Sequence, residues 1–127
     1  MTDRLEIDRL MRRLYAARAR GDLEAVCRAF SDDAKFQIAS ASQVKPLAVT
    51  ATGVDEFRPL LALLIKTFRL SDLAILSLII DGTKAAAHWR ANIHSRITGA
   101  TVATELVDLV EVRNARIVQY TEFFVPR

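Results

Sequence analysis

The sequence lacks the features of secreted, membrane-spanning and disulfide-stabilised proteins. Its longest unbroken apolar runs, such as Leu60–Ile65, are far shorter than the ~20 residues that a membrane-spanning helix requires. The segment Met1–Arg20 is charged throughout and has no apolar stretch typical of a secretory signal. Cys27 is the only cysteine, so an internal disulfide is excluded. These absences predict a cytoplasmic protein that does not enter a membrane.

The sequence also lacks the usual motifs for cofactor, metal and nucleophile chemistry. It contains no glycine-rich phosphate loop, no nucleophile elbow and no Cys-x-x-Cys pair. Its two histidines, His88 and His94, lie six residues apart on a predicted strand. That spacing separates them by ~20 Å, so they cannot bind one ion, and no third ligand accompanies them. We therefore expect no cofactor and no metal.

Basic residues are concentrated in the first predicted helix. The chain has a formal net charge of +3, and this helix carries Arg4, Arg9, Arg12, Arg13, Arg18 and Arg20. These arginines are interleaved with Asp3, Glu6 and Asp8, as on a solvated helix face. No stripe of aromatic and basic residues accompanies them, so nucleic-acid binding is not expected.

The composition and the apolar periodicity predict one globular domain that spans residues 1–127. Hydrophobic residues make up 51% of the chain and charged residues 26%, which is a globular balance. Apolar side chains at helical spacing predict three helices, over 3–21, 22–30 and 55–68. Pro59 would either bend the third helix or delay its start.

Four long strands are predicted to follow one another as a meander over 73–124. The first, Leu73–Ile80, is nearly all apolar, which is typical of a strand covered on both faces. Asp81-Gly82 then predicts a two-residue hairpin. A short strand over 34–38 precedes the meander. The segment 39–53 has no clear period, and it is either a loop over a pocket or an irregular strand.

The second strand of the meander alternates between two faces. Trp89 and several alanines share one face, which three preceding helices would cover in an α+β fold. The other face, here called the outer face, carries His88, Arg90, Asn92 and His94 beside apolar residues of the next strand. Such a mixture of polar and apolar side chains suits a subunit interface. We therefore expect a homodimer that forms through the outer face.

Two segments resemble the SnoaL-like branch of the nuclear-transport-factor-2-like superfamily, which includes ketosteroid isomerases, polyketide cyclases and scytalone-type dehydratases. They are GDLEAVCRAFSDDAKF at 21–36 and HWRANIHSRITGATVATELVDLVEVRNARIVQYTEFF at 88–124. The order of predicted elements agrees as well, so the resemblance covers essentially the whole chain. It implies a cone-like α+β barrel in which three N-terminal helices pack within a strongly curved, mostly antiparallel sheet. A pocket would lie at the open end of the cone.

The resemblance also implies roles for particular residues. Asp108 matches the position of a protonated acid in ketosteroid isomerases, at the same spacing from the hairpin glycine, here Gly99. The catalytic base of those enzymes would fall on Ile38, which cannot accept a proton. Their tyrosine would fall on Leu14, with Tyr15 one step away and about 100° round the helix. Steroid-type isomerase activity is therefore not expected.

Asp108 is the leading catalytic candidate. It lies among branched apolar residues in TVATELVDLVEV, where burial would raise its pKa and let it donate a proton near neutral pH. The resemblance implies the same role, because SnoaL-like cyclases use a single aspartate in this way. The alternative is an aspartate at the sheet rim, solvated or paired with an arginine. An arginine–aspartate arrangement like that of limonene epoxide hydrolases is missing, since Leu106 stands where the arginine would be.

Tyr120 and Glu122 are the other catalytic candidates, and their placement depends on the last hairpin. A three-residue connection places Tyr120 opposite Asp108, whereas a two- or four-residue connection brings Gln119 or Thr121 there. In the register of the family, Asp108 and Glu122 lie close enough for their titrations to couple. Glu122 could instead pair with an arginine.

The remaining candidates would form the walls of the pocket. They are Leu14, Tyr15, Phe36, Ile38, Phe57, Leu61, Trp89, Leu106 and Phe124. Walls of this kind predict a small hydrophobic ligand that bears a carbonyl or hydroxyl group. The leading function is a cofactor-free isomerase, cyclase or dehydratase that uses Asp108 as general acid/base. The alternatives are a non-catalytic binder of small hydrophobic ligands and a dimeric assembly module.

Overall fold

Three helices and six strands make up the chain in a computed structural model that describes residues 3–39 and 47–125. The helices are α1 (Arg4–Arg20), α2 (Leu23–Arg28) and α3 (Val54–Thr67). The strands are β1 (Phe30–Ala39), β2 (Leu47–Thr52), β3 (Phe68–Asp81), β4 (Lys84–Ser95), β5 (Thr101–Arg113) and β6 (Arg116–Phe124). The predicted α+β class is confirmed. No helix of the described residues is long and apolar enough to cross a membrane.

Capping side chains set the ends of the first two helices. The Asp3 carboxylate accepts a hydrogen bond of 2.8 Å from the backbone N–H of Glu6, which begins α1. Gly21 ends α1 in the left-handed conformation, at φ 69°, which glycine adopts without a steric penalty. Asp22 directly follows and caps α2 by accepting a hydrogen bond from Ala25. The two helices therefore form a tight helical hairpin.

The second helix and the first strand differ from the sequence prediction. Phe30, predicted on the apolar face of α2, instead begins β1, which is longer than the predicted strand over 34–38. The reason is a long-range contact: β1 pairs in parallel with β6, and Phe30 lies opposite Ile117. Local periodicity carries no information on such a pairing. The third helix runs through Pro59 and ends one residue before Phe68, which begins β3.

The sheet has the strand order β2-β1-β6-β5-β4-β3, and every pairing except β1–β6 is antiparallel. The predicted meander of four strands is therefore confirmed. The expectation that Leu73–Ile80 is covered on both faces is wrong for the single chain, because the helices pack against only one face of β3. Its apolar side chains Leu76 and Ile79 are 45% and 63% exposed.

The uncertain segment 39–53 contains β2, which pairs antiparallel with β1. Residues 40–46, with Pro46 among them, lie outside the described part of the chain. The alternative of a loop over the pocket therefore stays a prediction for those seven residues.

The helices and the inner face of the curved sheet enclose one apolar core. The alternation predicted for β4 is confirmed: Ala85, Ala87, Trp89 and Ala91 are buried. Arg90 is exposed on the outer face. Because α1 packs along β3 and the helices cover the inner face, a polar side chain on that face is removed from water.

Candidate functional site

The last hairpin combines a two-residue connection with a bulge. Asn114 and Ala115 form the connection, and both have positive φ angles (51° and 60°), as in a type I′ turn. The register then shifts between Glu111 and Val112. This shift adds one residue to β6, so the turn length alone does not fix which residue lies opposite the centre of β5.

The bulge brings Glu122 opposite Asp108, and Tyr120 opposite Val110. The three residues proposed from turn length alone (Gln119, Tyr120 and Thr121) therefore lie elsewhere. The register that the family resemblance implied is the one observed. Directly opposed side chains lie within about 5 Å of each other at Cβ, so the two carboxyl groups interact.

A buried polar cluster surrounds Asp108, whose side chain is 0% exposed. One of its oxygens, Oδ2, accepts hydrogen bonds from the Tyr15 hydroxyl (2.5 Å), the Trp89 indole Nε1 (2.8 Å) and the Tyr120 hydroxyl. The other oxygen, Oδ1, has no hydrogen-bond partner among the described residues. Three donors from α1, β4 and β6 therefore hold one carboxyl group of β5 in place.

Arg18 connects this cluster to a second carboxylate. Its Nη1 lies 2.6 Å from Oε2 of Glu122, 3.0 Å from the Tyr120 hydroxyl and 3.8 Å from Oδ2 of Asp108. The guanidinium carbon also lies 4.8 Å from the centroid of the Trp89 ring, in cation–π contact. The prediction that Glu122 could pair with an arginine is thus confirmed. The buried guanidinium of Arg18 therefore interacts with the carboxyl groups of both Glu122 and Asp108.

The cluster favours a neutral Asp108. Burial raises the pKa of Asp108 well above its ordinary value, and the neighbouring Glu122 raises that pKa further. Arg18 and the two tyrosine hydroxyls act in the opposite direction but do not outweigh burial. Burial also raises the pKa of Tyr15 and of Tyr120, which keeps both hydroxyls protonated as donors. A neutral Asp108 leaves Arg18 and Glu122 as a balanced ion pair.

Arg18 belongs to the site, although the sequence pattern of α1 predicted it on a solvated helix face with the other arginines. In the structure its side chain is only 18% exposed. A signal was present, because Arg18 follows Leu14 by four residues and Met11 by seven. That spacing places it on the same helix face as those buried residues. An arginine within an apolar stripe indicates a buried ionic partner.

A cavity of about 510 Å³ opens beside the cluster, and its walls are mostly apolar. Arg18 and Glu122 line it and are largely buried, so they mark what we call its deep end. Val102 also lines the cavity and is 56% exposed, so it lies near the opening. The cavity thus has an apolar body and an ion pair at its inner end.

The structure separates the predicted site residues into two groups. Ile38, Leu61, Glu122 and Phe124 line the cavity. The others are buried behind it in the core: Leu14, Tyr15, Phe36, Phe57, Trp89, Leu106, Asp108 and Tyr120. This differs from the expectation that all of them meet the ligand. The physical reason is that α1 packs closely over the inner sheet face and its side chains fill the narrow part of the cone.

The histidines take no part in this site. His88 lies 3.9 Å from Glu105, and His94 bonds to Thr101 at 2.8 Å on the outer face. Within residues 3–39 and 47–125, no three His, Cys, Asp or Glu side chains are grouped closely enough to hold a metal ion.

Comparison with known proteins decides the family. The sequence matches the SnoaL-like domain over residues 11–120. The chain belongs to the SnoaL-like family. No curated protein matches the sequence.

Solved structures share the fold of this SnoaL-like chain at low sequence identity. A Bacillus subtilis protein with the provisional name of an isomerase is 19% identical, with a TM-score of 0.85 over 99% of this chain and 91% of its own. An LEH-like epoxide hydrolase of M. tuberculosis is 17% identical, with a TM-score of 0.77 over 95% and 84%. A Catenulispora acidiphila protein with a ketosteroid isomerase-like fold, in complex with trimethylamine, is 14% identical, with a TM-score of 0.73 over 89% and 82%. At these identities the likeness supports the fold alone.

Proposed function

We propose that this SnoaL-like chain binds a small, mostly apolar molecule and acts on it as a cofactor-free acid/base enzyme of the isomerase, cyclase or dehydratase type. The observation that carries the proposal is the Arg18–Glu122 ion pair at the deep end of a mostly apolar cavity of about 510 Å³. Cavities of that size, with a few polar groups that converge, are typical of small-molecule sites. The ligand would carry a carbonyl or hydroxyl group that reaches the ion pair.

In the proposed reaction, Glu122 is the catalytic residue that moves the proton. A C–H bond beside the ligand carbonyl breaks, its proton passes to the Glu122 carboxylate, and the electron pair moves onto the carbonyl oxygen as an enolate. The N–H groups of Arg18 stabilise that negative charge. Where the ligand also has a carbon–carbon double bond next to that C–H bond, the enolate is a dienolate. Return of the proton from Glu122 to the far carbon of the dienolate then shifts the double bond and completes an isomerisation with no other reactant.

Asp108 takes a different role in this proposal from the one expected from the sequence. It is 0% exposed and lies behind Arg18, so a ligand in the cavity does not contact it. We assign it as a positioning residue. Its neutral carboxyl holds Tyr15 and Tyr120 in place and adds no second negative charge, so Arg18 stays available to Glu122.

Proton exchange on a simple ketone tests these roles without knowledge of the natural substrate. The protein is expected to speed the exchange of the α-protons of 1-tetralone in D₂O, followed by NMR. Glu122→Gln removes the base and should lower the enzymatic rate by about 10²-fold or more. Asp108→Asn keeps a neutral side chain and should retain the rate within about threefold, because no proton passes through Asp108.

Glu111→Gln is the matched control, since it removes a carboxylate from the same sheet away from the cavity lining. Circular dichroism establishes that each variant is folded. Loss of exchange in Asp108→Asn, with retention in Glu122→Gln, would overturn the division of roles and make Asp108 the base.

A non-catalytic binder is the second candidate, and a specific observation favours it. Ile38 lines the cavity where ketosteroid isomerases would have their base, and isoleucine cannot accept a proton. Glu122 is then the carboxylate that remains at the deep end. A binder would take up 1-tetralone and leave its proton exchange at the buffer rate in all variants. Binding together with exchange would rule this candidate out.

We also propose a homodimer that forms through the outer face of the sheet. Ile79, Leu109 and Phe123 are 63%, 48% and 38% exposed, and the register places Ile79 near the outward side chains of β4. Leu109→Glu should therefore convert a dimer into a monomer, measured by light scattering during size-exclusion chromatography. Leu63→Glu, which changes a leucine of α3 that is 59% exposed, should leave the mass unchanged. A monomeric native protein would contradict the proposal.

A further inference from the structure

A second cavity, of about 450 Å³, adjoins the first one. It lies between the end of α1, the end of α3 and the start of β3, and we call it the basic cavity. Arg18, Ile65, Phe68 and Leu70 line both cavities. A molecule that extends past these shared residues would therefore occupy both spaces.

Cationic side chains dominate the lining of the basic cavity. Beside the shared Arg18, it is lined by Arg20, Lys66, Arg69 and Arg96, and no carboxylate is among its described lining residues. Most of its other lining residues are apolar or small. The cavity next to an apolar pocket is thus positively charged.

Part of this charge already has a structural use. Nη1 of Arg96 donates to the backbone carbonyls of Ile65 and Lys66, both at 2.9 Å, which caps the end of α3. Arg20 lies 3.5 Å from Asp22. Each helix C-terminus also contributes about half a negative charge, and cations commonly collect there.

Two further cations, Lys66 in the last turn of α3 and Arg69, line the basic cavity. Lys66 and Arg69 form no ion pair with any residue of the described chain. Arg69 lies on the edge strand β3 and not on a helix, so capping of a helix end does not account for it. Its cross-strand partner is His94 of the outer face, so Arg69 lines the basic cavity from the edge of the sheet. The cations that line the basic cavity therefore have no carboxylate among its described lining residues, and a helix end does not explain Arg69.

We propose that the natural ligand is an amphipathic anion. Its apolar body would occupy the cavity beside Glu122, and its carboxylate, phosphate or sulfonate group would lie in the basic cavity at Lys66 and Arg69. This inference rests on the proposed function, because it extends the ligand that the first cavity is proposed to bind. Phe68 and Leu70, which line both cavities, would contact the part of the ligand between its two ends.

Two dyes that differ by one charged group test the inference. 1-Anilinonaphthalene-8-sulfonate carries a sulfonate on the aromatic body of N-phenyl-1-naphthylamine, and both fluoresce when bound in apolar surroundings. Lys66→Gln combined with Arg69→Gln should weaken binding of the sulfonate about tenfold or more, because the two cations that would bind the charged group are removed. Binding of the uncharged dye should change less than twofold.

Two control variants test whether the dyes bind in these two cavities and not elsewhere on the protein. Lys84→Gln combined with Arg113→Gln removes two cations elsewhere and should leave both affinities unchanged. Val102→Trp narrows the opening of the apolar cavity and should weaken both dyes, whereas Leu63→Trp, at an exposed position of α3 that lines neither cavity, should weaken neither.

The outcomes separate the inference from the proposed function. If Val102→Trp weakens the uncharged dye but the Lys66 and Arg69 substitutions leave the sulfonate affinity unchanged, the anion site is overturned and the apolar pocket stands. If neither dye binds, or if Val102→Trp affects neither, the pocket itself is contradicted and the anion site with it.

Discussion

Replacing Arg18 with methionine is expected to lower the free energy of unfolding by about 3–5 kcal/mol at pH 7. The substitution removes the cation that lies 2.6 Å from Glu122, whose side chain is only 5% exposed. An uncompensated carboxylate would then remain in the core beside Asp108. Methionine keeps much of the apolar stem of Arg18, so the loss reports mainly on the charge. Urea unfolding, followed by circular dichroism, measures it.

Two further variants make this prediction specific. Arg18→Met combined with Glu122→Met removes the pair together and should recover most of the lost stability, because no buried charge is left alone. Arg12→Met removes an exposed arginine that pairs with Asp8 at 2.8 Å, and it should cost at most about 1 kcal/mol. If Arg18→Met costs no more than Arg12→Met, the buried ion pair is not what stabilises the deep end.

Replacing Asp108 with asparagine is expected to make the protein gain stability, relative to the native chain, as the pH rises. The pKa of Asp108 is raised in the folded state, so above its unfolded pKa of about 3.9 the folded chain binds more protons than the unfolded chain. The native protein therefore loses stability through this group, by up to about 1.4 kcal/mol per pH unit, until the pH passes the folded pKa. Asparagine does not titrate and shows no such loss.

The measurement is the difference in unfolding free energy between the two proteins from pH 4 to pH 8. Taking the difference cancels the contributions of all groups whose titration is the same in the two proteins. Asp8→Asn, which replaces a carboxylate of α1 that is 36% exposed, is the matched control for the change from aspartate to asparagine. A native chain that gains stability over Asp108→Asn as the pH rises would show an ionised Asp108, held by its three hydrogen-bond donors, and would contradict the neutral form.

Local sequence patterns predicted most of the helices and strands, because helical spacing, capping and strand alternation each depend on residues only a few positions apart. Helical spacing and capping residues located α1, and the strict alternation around Trp89 assigned the two faces of β4 correctly. Phe30 was misplaced because its position depends on a parallel pairing with Ile117, which is distant in sequence. No local pattern indicated the bulge beside Glu111 either, so turn length alone did not predict that Glu122 lies opposite Asp108.

The sequence predicted only part of the site, because local patterns again do not contain information on long-range packing. The apolar setting of Asp108 correctly indicated a buried carboxyl group with a raised pKa. Which side chains meet a ligand depends on how far α1 enters the cone, and no local pattern sets that depth. Tyr15, Trp89 and Tyr120 consequently bond to Asp108 in the core, while Arg18 reaches the cavity.

A crystal structure of the protein, soaked with N-phenyl-1-naphthylamine and solved at high resolution, tests the central claim most directly. We predict density for one molecule inside the cavity of about 510 Å³, between Leu61 and Phe124, with the Arg18–Glu122 pair at its inner end. A cavity closed by its own side chains, with the dye only on the outer face, would contradict both the pocket and the chemistry proposed for it.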